Sequence, residues 1–280
     1  MADVRKGPLW AKIAIYIVMA VFAIMAIYPI FWLIIQSFKT TQEYITTSKL
    51  ALPKMWYFDN YPYAWRMANL GGMLLNSIFY TFITVAAVIV LGTMAGFAFA
   101  RIPAKATPLL HGMFIVGILL TLQSIMVPLF LMTNAVGLYD TRLGVLIPYI
   151  GLGLPMSVYL STEFCRSIPM ALVESARIDG AKYLQIFASI VFPMLAPVAM
   201  TIGIMTFSGT WNEFMLINIL TSSDSIKSLP VGINKFAGAL ATDYGKQFSA
   251  LVIGMVPMVA FYLIFRKQIT KGVAAGAVKG

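Results

Sequence analysis

IPMALVESARIDGAKYLQIFASIVFP, residues 168–193, is neither apolar enough to sit in lipid nor punctuated like an ordinary loop. Ser167 is placed to cap and Pro169 to open a short helix, and Pro169, Leu172, Val173 and Ala176 then share one apolar arc at i, i+3, i+4 and i+7. Glu174 and Arg177 fall on another side. Gly180 stands where a helix stops in a left-handed cap, and a second helical run begins at Ala181 and leads into the next apolar segment. The spacing predicts a helix, a sharp turn and a second helix, lying at a membrane surface.

Working outward, the rest of the chain supplies the membrane. Of 280 residues, 60% are hydrophobic and 11% charged, with a mean hydropathy of +0.86, whereas soluble domains carry about 25% charged residues. The net charge of +10 is scattered between long apolar runs rather than gathered on a patch, which fits a membrane surface facing the cytoplasm and not nucleic acid. A single cysteine, Cys165, excludes an intrachain disulfide and a cysteine-built metal cluster; small buried filler is its reading.

A spanning helix needs about 20 apolar residues. On that ruler six spans are predicted, at about 12–36, 72–100, 108–133, 142–164, 190–220 and 247–265. The first is too long for the roughly 7–15-residue apolar region of a cleaved signal, so it stays. The expected architecture is an all-α integral membrane domain over 1–280, with core spans from about 72 to 265 and the stretch 168–193 between the fourth and fifth helices. Most Lys and Arg lie in the amino tail, the 2–3 and 4–5 links and the carboxyl tail, which places both termini and the 168–193 stretch in the cytoplasm.

Within the fifth span, Trp211, Asn212 and Glu213 stand together. A central carboxylate there costs about 2.5–3.5 kcal/mol on insertion scales and should face the bundle interior or a wet cavity. One reading has Glu213 and Asn212 lining a path through the bundle, where a carboxylate and an amide bind hydroxyls and the Trp211 indole stacks on a ring face. The other pairs Glu213 with a neighbouring helix. Asn76 and Gln123 are weaker candidates for the same path, since such residues more often bond between helices. His111 has no partners that make it a metal ligand, and no metal site is expected.

The pattern Glu174-Ser175-Ala176, three residues, Gly180, nine residues, Ile190, Val191, Phe192 and Pro193 resembles the E-A-A-x3-G-x9-I-x-L-P loop of importer-type ABC transporter permeases. Ser175 replaces the first Ala of that pattern and Phe192 the Leu. The tail from Phe265 to Gly272 and from Ala274 to Gly280, the stretch Asn134 to Pro148 and the run Ser228 to Gly232 resemble carbohydrate permeases, above all the smaller permease of the maltose type. The resemblance covers most of the chain. It implies a type I importer fold whose 168–193 loop is a coupling helix docked on a separate ATPase, through Pro169, Leu172, Val173, Glu174, Ser175, Ala176, Arg177, Asp179 and Gly180. It further implies a tail, with Lys271 and Lys279, that reaches the ATPase interface.

The same resemblance implies an importer of a sugar or oligosaccharide by alternating access in a bacterial or archaeal cytoplasmic (inner) membrane. Its partners would be a second homologous permease, two ATPase subunits that hold ATP and magnesium, an extracytoplasmic binding protein and membrane lipid. Another solute for the same machine, such as glycerol phosphate, or a secondary transporter, are the alternatives. No G-x-x-x-x-G-K-[S/T] loop occurs, since Gly245-Lys246 has Leu240 and Gln247 at the flanking positions, so the chain itself is expected neither to hold ATP by that route nor to be an enzyme.

Overall fold

A computed structural model describes the backbone of residues 9–236 and 243–277, and their side chains apart from residues 11 and 268–277. The described residues are helices joined by turns, with no strand among them. They fall in two compact units, one drawn from Met1–Leu70 and Ile233–Met255, the other from Gly71–Gly232 and Val256–Gly280.

The first unit holds α1 (Leu9–Gln36), α2 (Thr41–Thr46) and α3 (Asn60–Met67). Its apolar first helix is exposed along most of its length, as a lipid-facing helix is. Just past its end the chain turns into a polar knot. Asn60 Nδ2 donates to the carbonyls of Ser37 (2.9 Å) and Lys39 (2.8 Å), and Ser249 Oγ donates to Ser37 O (3.1 Å). Asp243 accepts from Thr41 Oγ1 (2.7 Å) and from Lys246, whose ammonium also lies over the Tyr63 ring. Burial alone would push the Asp243 carboxyl up, but the bonds from Lys246 and Thr41 more than offset it and hold it below the ordinary carboxylate range.

The second unit holds α4 (Leu70–Arg101), α5 (Thr107–Ile118), α6 (Leu122–Ala135), α7 (Arg142–Ser167), α8 (Met170–Ile178), α9 (Tyr183–Ile186), α10 (Phe192–Met194), α11 (Ala196–Asn212), α12 (Met215–Leu220) and α13 (Leu229–Asn234). The end of α13 passes into the first unit, and the final helix, α14 (Tyr244–Ala277), contributes residues to both. Helices α4 and α7 approach closely because small residues face each other. A Cβ at Gly92 would fall 1.9 Å from Ser157 Oγ, and one at Gly96 would fall 2.4 Å from Ser161 Cβ. Without a hydrophobic drive between helices in lipid, such close backbone packing is what holds a pair together. Ser157 Oγ adds a bond to Val88 O across the seam (3.0 Å).

Among the described residues, four helices are long and apolar enough to cross a membrane, Lys12–Gln36, Leu70–Arg101, Arg142–Ser167 and Tyr244–Lys267, and two bent pairs bring the number to six when each pair counts as one span. The bent pairs correct the expectation of continuous third and fifth spans. In the third, α5 and α6 meet at 110°. Thr121 there is extended, its hydroxyl and carbonyl both bonded to Ser124 Oγ, a local alternative to helical hydrogen bonding. In the fifth, Phe187–Val191 winds as a π-turn and the chain bends by 77° between Met194 and Ala196. Pro197 has no N–H for the carbonyl of Pro193, so the helix breaks between the two prolines. The span expected at 190–220 is therefore three pieces, with a second break at Glu213 and Phe214.

Candidate functional site: a surface helix and a cavity

The surface helix α8 begins at Met170, with Pro169 extended before it. Ser167 does not cap it, contrary to the sequence expectation: its Oγ donates to Phe164 O (2.7 Å) on the last turn of α7. The buried arc is also narrower than expected. Val173 and Ala176 enter a core with Phe97, Cys165, Ile168, Ile186, Phe187, Val191 and Leu195, while Pro169 and Leu172 stay outside it. Cys165 is buried there, as filler should be.

Gly180 has φ +85°, the left-handed conformation that glycine adopts without a Cβ penalty. Its N–H bonds Arg177 O (3.0 Å) and the Ala181 N–H bonds Ala176 O (2.9 Å), which satisfies the last carbonyls of α8. Arg177 donates to Tyr183 OH (2.7 Å) with its guanidinium over the same ring, tying α8 to α9. Glu174, Ser175 and Asp179 are exposed. So is Ile178, at 86%, and Leu184 at 64%. These last two apolar residues escaped the sequence reading because the arc through Val173 and Ala176 accounts for one face only. The result is an exposed surface that mixes charge with large apolar side chains, which is the composition of a docking site.

The second feature is a cavity of about 290 Å³ between α7 and α11. Its polar lining is Tyr149, Ser157, Thr206, Thr210 and Glu213. Glu213 reaches it from the end of α11, where the chain leaves helical geometry. Its carboxylate accepts from Tyr149 OH (2.5 Å), Leu216 N (2.6 Å) and Ile217 N (3.1 Å). It therefore binds α7 and closes the first turn of α12 at once.

The neighbours of Glu213 go elsewhere. Trp211 is buried and stacks at 3° and 5.8 Å on Phe207, which itself stacks on Phe261 at 3.6 Å. Asn212 is exposed and donates to Ser208 O (2.9 Å). Asn76 lies away from this cavity, donating to Ser225 O (2.8 Å) and Lys227 O (3.0 Å) and accepting from Arg142 (3.4 Å). Gln123 is exposed on the first turn of α6 and is not among the residues lining the cavity. Lys271 sits on the backbone of α14, and Lys279 lies outside the described residues.

The loop after α12 is bolted to the rest of the unit. Besides Asn76, Tyr80 donates to Ile226 O (2.8 Å) and Ser77 Oγ accepts from Leu229 N (2.8 Å). Asp140 accepts from the Ser223 hydroxyl and from the amides of Ser222 and Ser223 (both 2.8 Å). Those bonds hold its carboxyl below the ordinary carboxylate range.

The cavity is mainly apolar, with a few polar groups on its wall, and the chain around it has relatives among known proteins. Residues 88–274 match the family described as "Binding-protein-dependent transport system inner membrane component". The chain belongs to that family. It is 33% identical to the trehalose transport system permease protein SugB of Mycobacterium tuberculosis, over 99% of both chains. It is 32% identical to the melibiose/raffinose/stachyose import permease protein MelC of Bacillus subtilis, over 90% of this chain and 91% of that one. The fold is shared with a bacterial ABC transporter involved in the import of the acidic polysaccharide alginate, with a TM-score of 0.78, 22% identity, and 91% and 95% of the two chains covered. The membership makes this a membrane permease component of a binding-protein-dependent transport system.

Proposed function

We propose that this permease carries a sugar or oligosaccharide inward by alternating access, as one half of a heterodimer with a second homologous permease. Two separate ATPase subunits hold ATP and magnesium on the cytoplasmic side, and an extracytoplasmic binding protein delivers the sugar to the outer mouth. Both termini and α8 face the cytoplasm of a bacterial or archaeal inner membrane. Catalysis belongs to the partners; this chain converts their motion.

The observation that carries the reading is the exposed surface of α8 and the start of α9, with Ile178 of α8 and Leu184 of α9 in the open and Glu174, Arg177 and Asp179 exposed as well. Large apolar side chains on a surface connector cost solvation unless a partner covers them. The relatives whose names specify trehalose and melibiose support the sugar. So does the cavity, with four hydroxyl residues, Tyr149, Ser157, Thr206 and Thr210, and no Lys or Arg among its lining residues.

The test is reconstitution of the complete importer in proteoliposomes, with ATP hydrolysis measured with and without the binding protein loaded with trehalose, melibiose or raffinose. Stimulation by one loaded form, together with uptake of that sugar, is expected. Uptake that proceeds with the ATPase subunits omitted would overturn the proposal in favour of a secondary transporter.

A further inference from the structure

Three elements, the end of α4, the end of α7 and the start of α8, converge on the side chain of Arg101. Arg101 closes α4, and its Nη2 donates to the carbonyls of Cys165 (2.5 Å) and Ile168, with Arg166 O at 3.5 Å. Its Nη1 lies 3.3 Å from Met170 Sδ, on the first residue of α8. Cys165 and Arg166 belong to the last turn of α7, and Ile168 is the residue that caps it. The last carbonyls of a helix have no intrahelical partner, and a cation there also complements the helix dipole. Arg101 therefore serves α4, the end of α7 and the start of α8 with one planar group.

We infer that Arg101 is a positioning residue that makes α8 move as one piece with α4 and α7, so that displacement of the surface helix reaches the cavity and the 222–229 loop after α12. The inference rests on the function proposed above. Beyond Arg101 the connection is already rigid. The close seam of Gly92 and Gly96 against Ser157 and Ser161 makes α4 and α7 one body. At its far end α4 holds the 222–229 loop through Asn76, Ser77 and Tyr80. Farther along α7, Tyr149 holds Glu213 on the cavity wall. The link between α8 and this body is otherwise short: the apolar contacts of Val173 and Ala176, the bond from Arg177 to Tyr183, whose ring meets Phe97 of α4 edge-on, and a chain of two residues, Ile168 and Pro169. The guanidinium fork holds the Ile168 carbonyl of that two-residue chain and touches the Met170 sulfur of α8, directional contacts that apolar packing lacks, and a sliding α8 would pull Ile168 off its donor.

The experiment uses the assembled importer in membranes, with Cys165→Ala and a reporter Thr210→Cys on the cavity wall. The rate of labelling by a membrane-impermeant maleimide is measured with and without ATP, alongside ATP hydrolysis per assembled complex. With Arg101 intact, ATP changes the labelling rate. In Arg101→Met, hydrolysis persists but the ATP-dependent change shrinks by about tenfold, and Arg101→Lys recovers part of it because an ammonium still donates to carbonyls. A full ATP-dependent change in Arg101→Met, per assembled complex, overturns the inference and leaves Arg101 as a stabilising cap only. If Arg101→Met does not assemble, Arg101→Gln is read in the same way: a reduced change supports the inference and a full change overturns it. No response to ATP in the complex with Arg101 intact would overturn the permease–ATPase reading itself, and this inference with it.

Discussion

On α8, residues one apart point in directions set by the helix: Val173 and Ala176 enter the core while Glu174, Ser175 and Arg177 remain at the surface. At the end of α11, three consecutive residues part company. Trp211 goes into an aromatic stack, Asn212 to the outside and Glu213 to the cavity. Inside a helix the period of 3.6 residues fixes where each side chain goes. Trp211 and Asn212, the last residues of α11, still follow that period; Glu213, where the chain leaves the helix, follows its own partners. Glu213 goes to the amides of α12 because those N–H groups have no other acceptor.

The contrast predicts substitutions of graded effect. The largest is expected for Glu213→Ala, which leaves the Tyr149 hydroxyl and two amides without their carboxylate. A loss of about 3 kcal/mol is expected in thermal or denaturant unfolding of the purified permease, with Glu213→Gln recovering part. An unchanged stability in Glu213→Ala would mean that the carboxylate is free for substrate after all. Next comes Gly180→Ala, which forces a Cβ into left-handed geometry at a cost of about 1–2 kcal/mol. Because space around Gly180 is open, the cost is conformational, and Gly180→Asn should be milder. Protease sensitivity at the α8 turn reads out both.

Trp211→Phe keeps a ring on Phe207 and should cost about 1 kcal/mol, with sugar uptake by the assembled importer retained. Loss of uptake with normal assembly would show Trp211 meeting sugar directly. The smallest effect concerns Asp140. Its carboxyl titrates below the ordinary range in the folded protein, so its contribution is present above the unfolded carboxylate pKa and is lost as pH falls through the folded one. Acidification through that window should therefore loosen the 222–223 turn, seen as faster amide exchange there, and Asp140→Asn should abolish the pH dependence.

Composition and span length made the all-helical membrane fold legible, because apolar runs of the right length have few alternatives. The glycine stop at Gly180 was legible too, since residue type and conformation are tightly linked there. The breaks at Thr121 and between Pro193 and Pro197 were written in the sequence as Thr-Leu-Gln-Ser and as two prolines four apart. A hydropathy window averages over such signals, and both spans read as continuous. Arg101 and Ile178 were not legible. Arg101 acts on carbonyls more than sixty residues away, and nothing in its own neighbourhood announces them. Ile178 reads as one more apolar residue until the structure leaves it in the open.

The most direct measurement is a crosslinking scan of α8 with Cys165 replaced, using single cysteines at Val173, Glu174, Ser175, Ala176 and Ile178 in membranes containing the ATPase subunits, with and without ATP. Crosslinks to an ATPase at 174, 175 and 178 that change with nucleotide, and none at the buried positions 173 and 176, are the expected result. Crosslinks absent from every exposed position, or equally strong at the buried ones, would contradict the docking surface on which the proposed function rests.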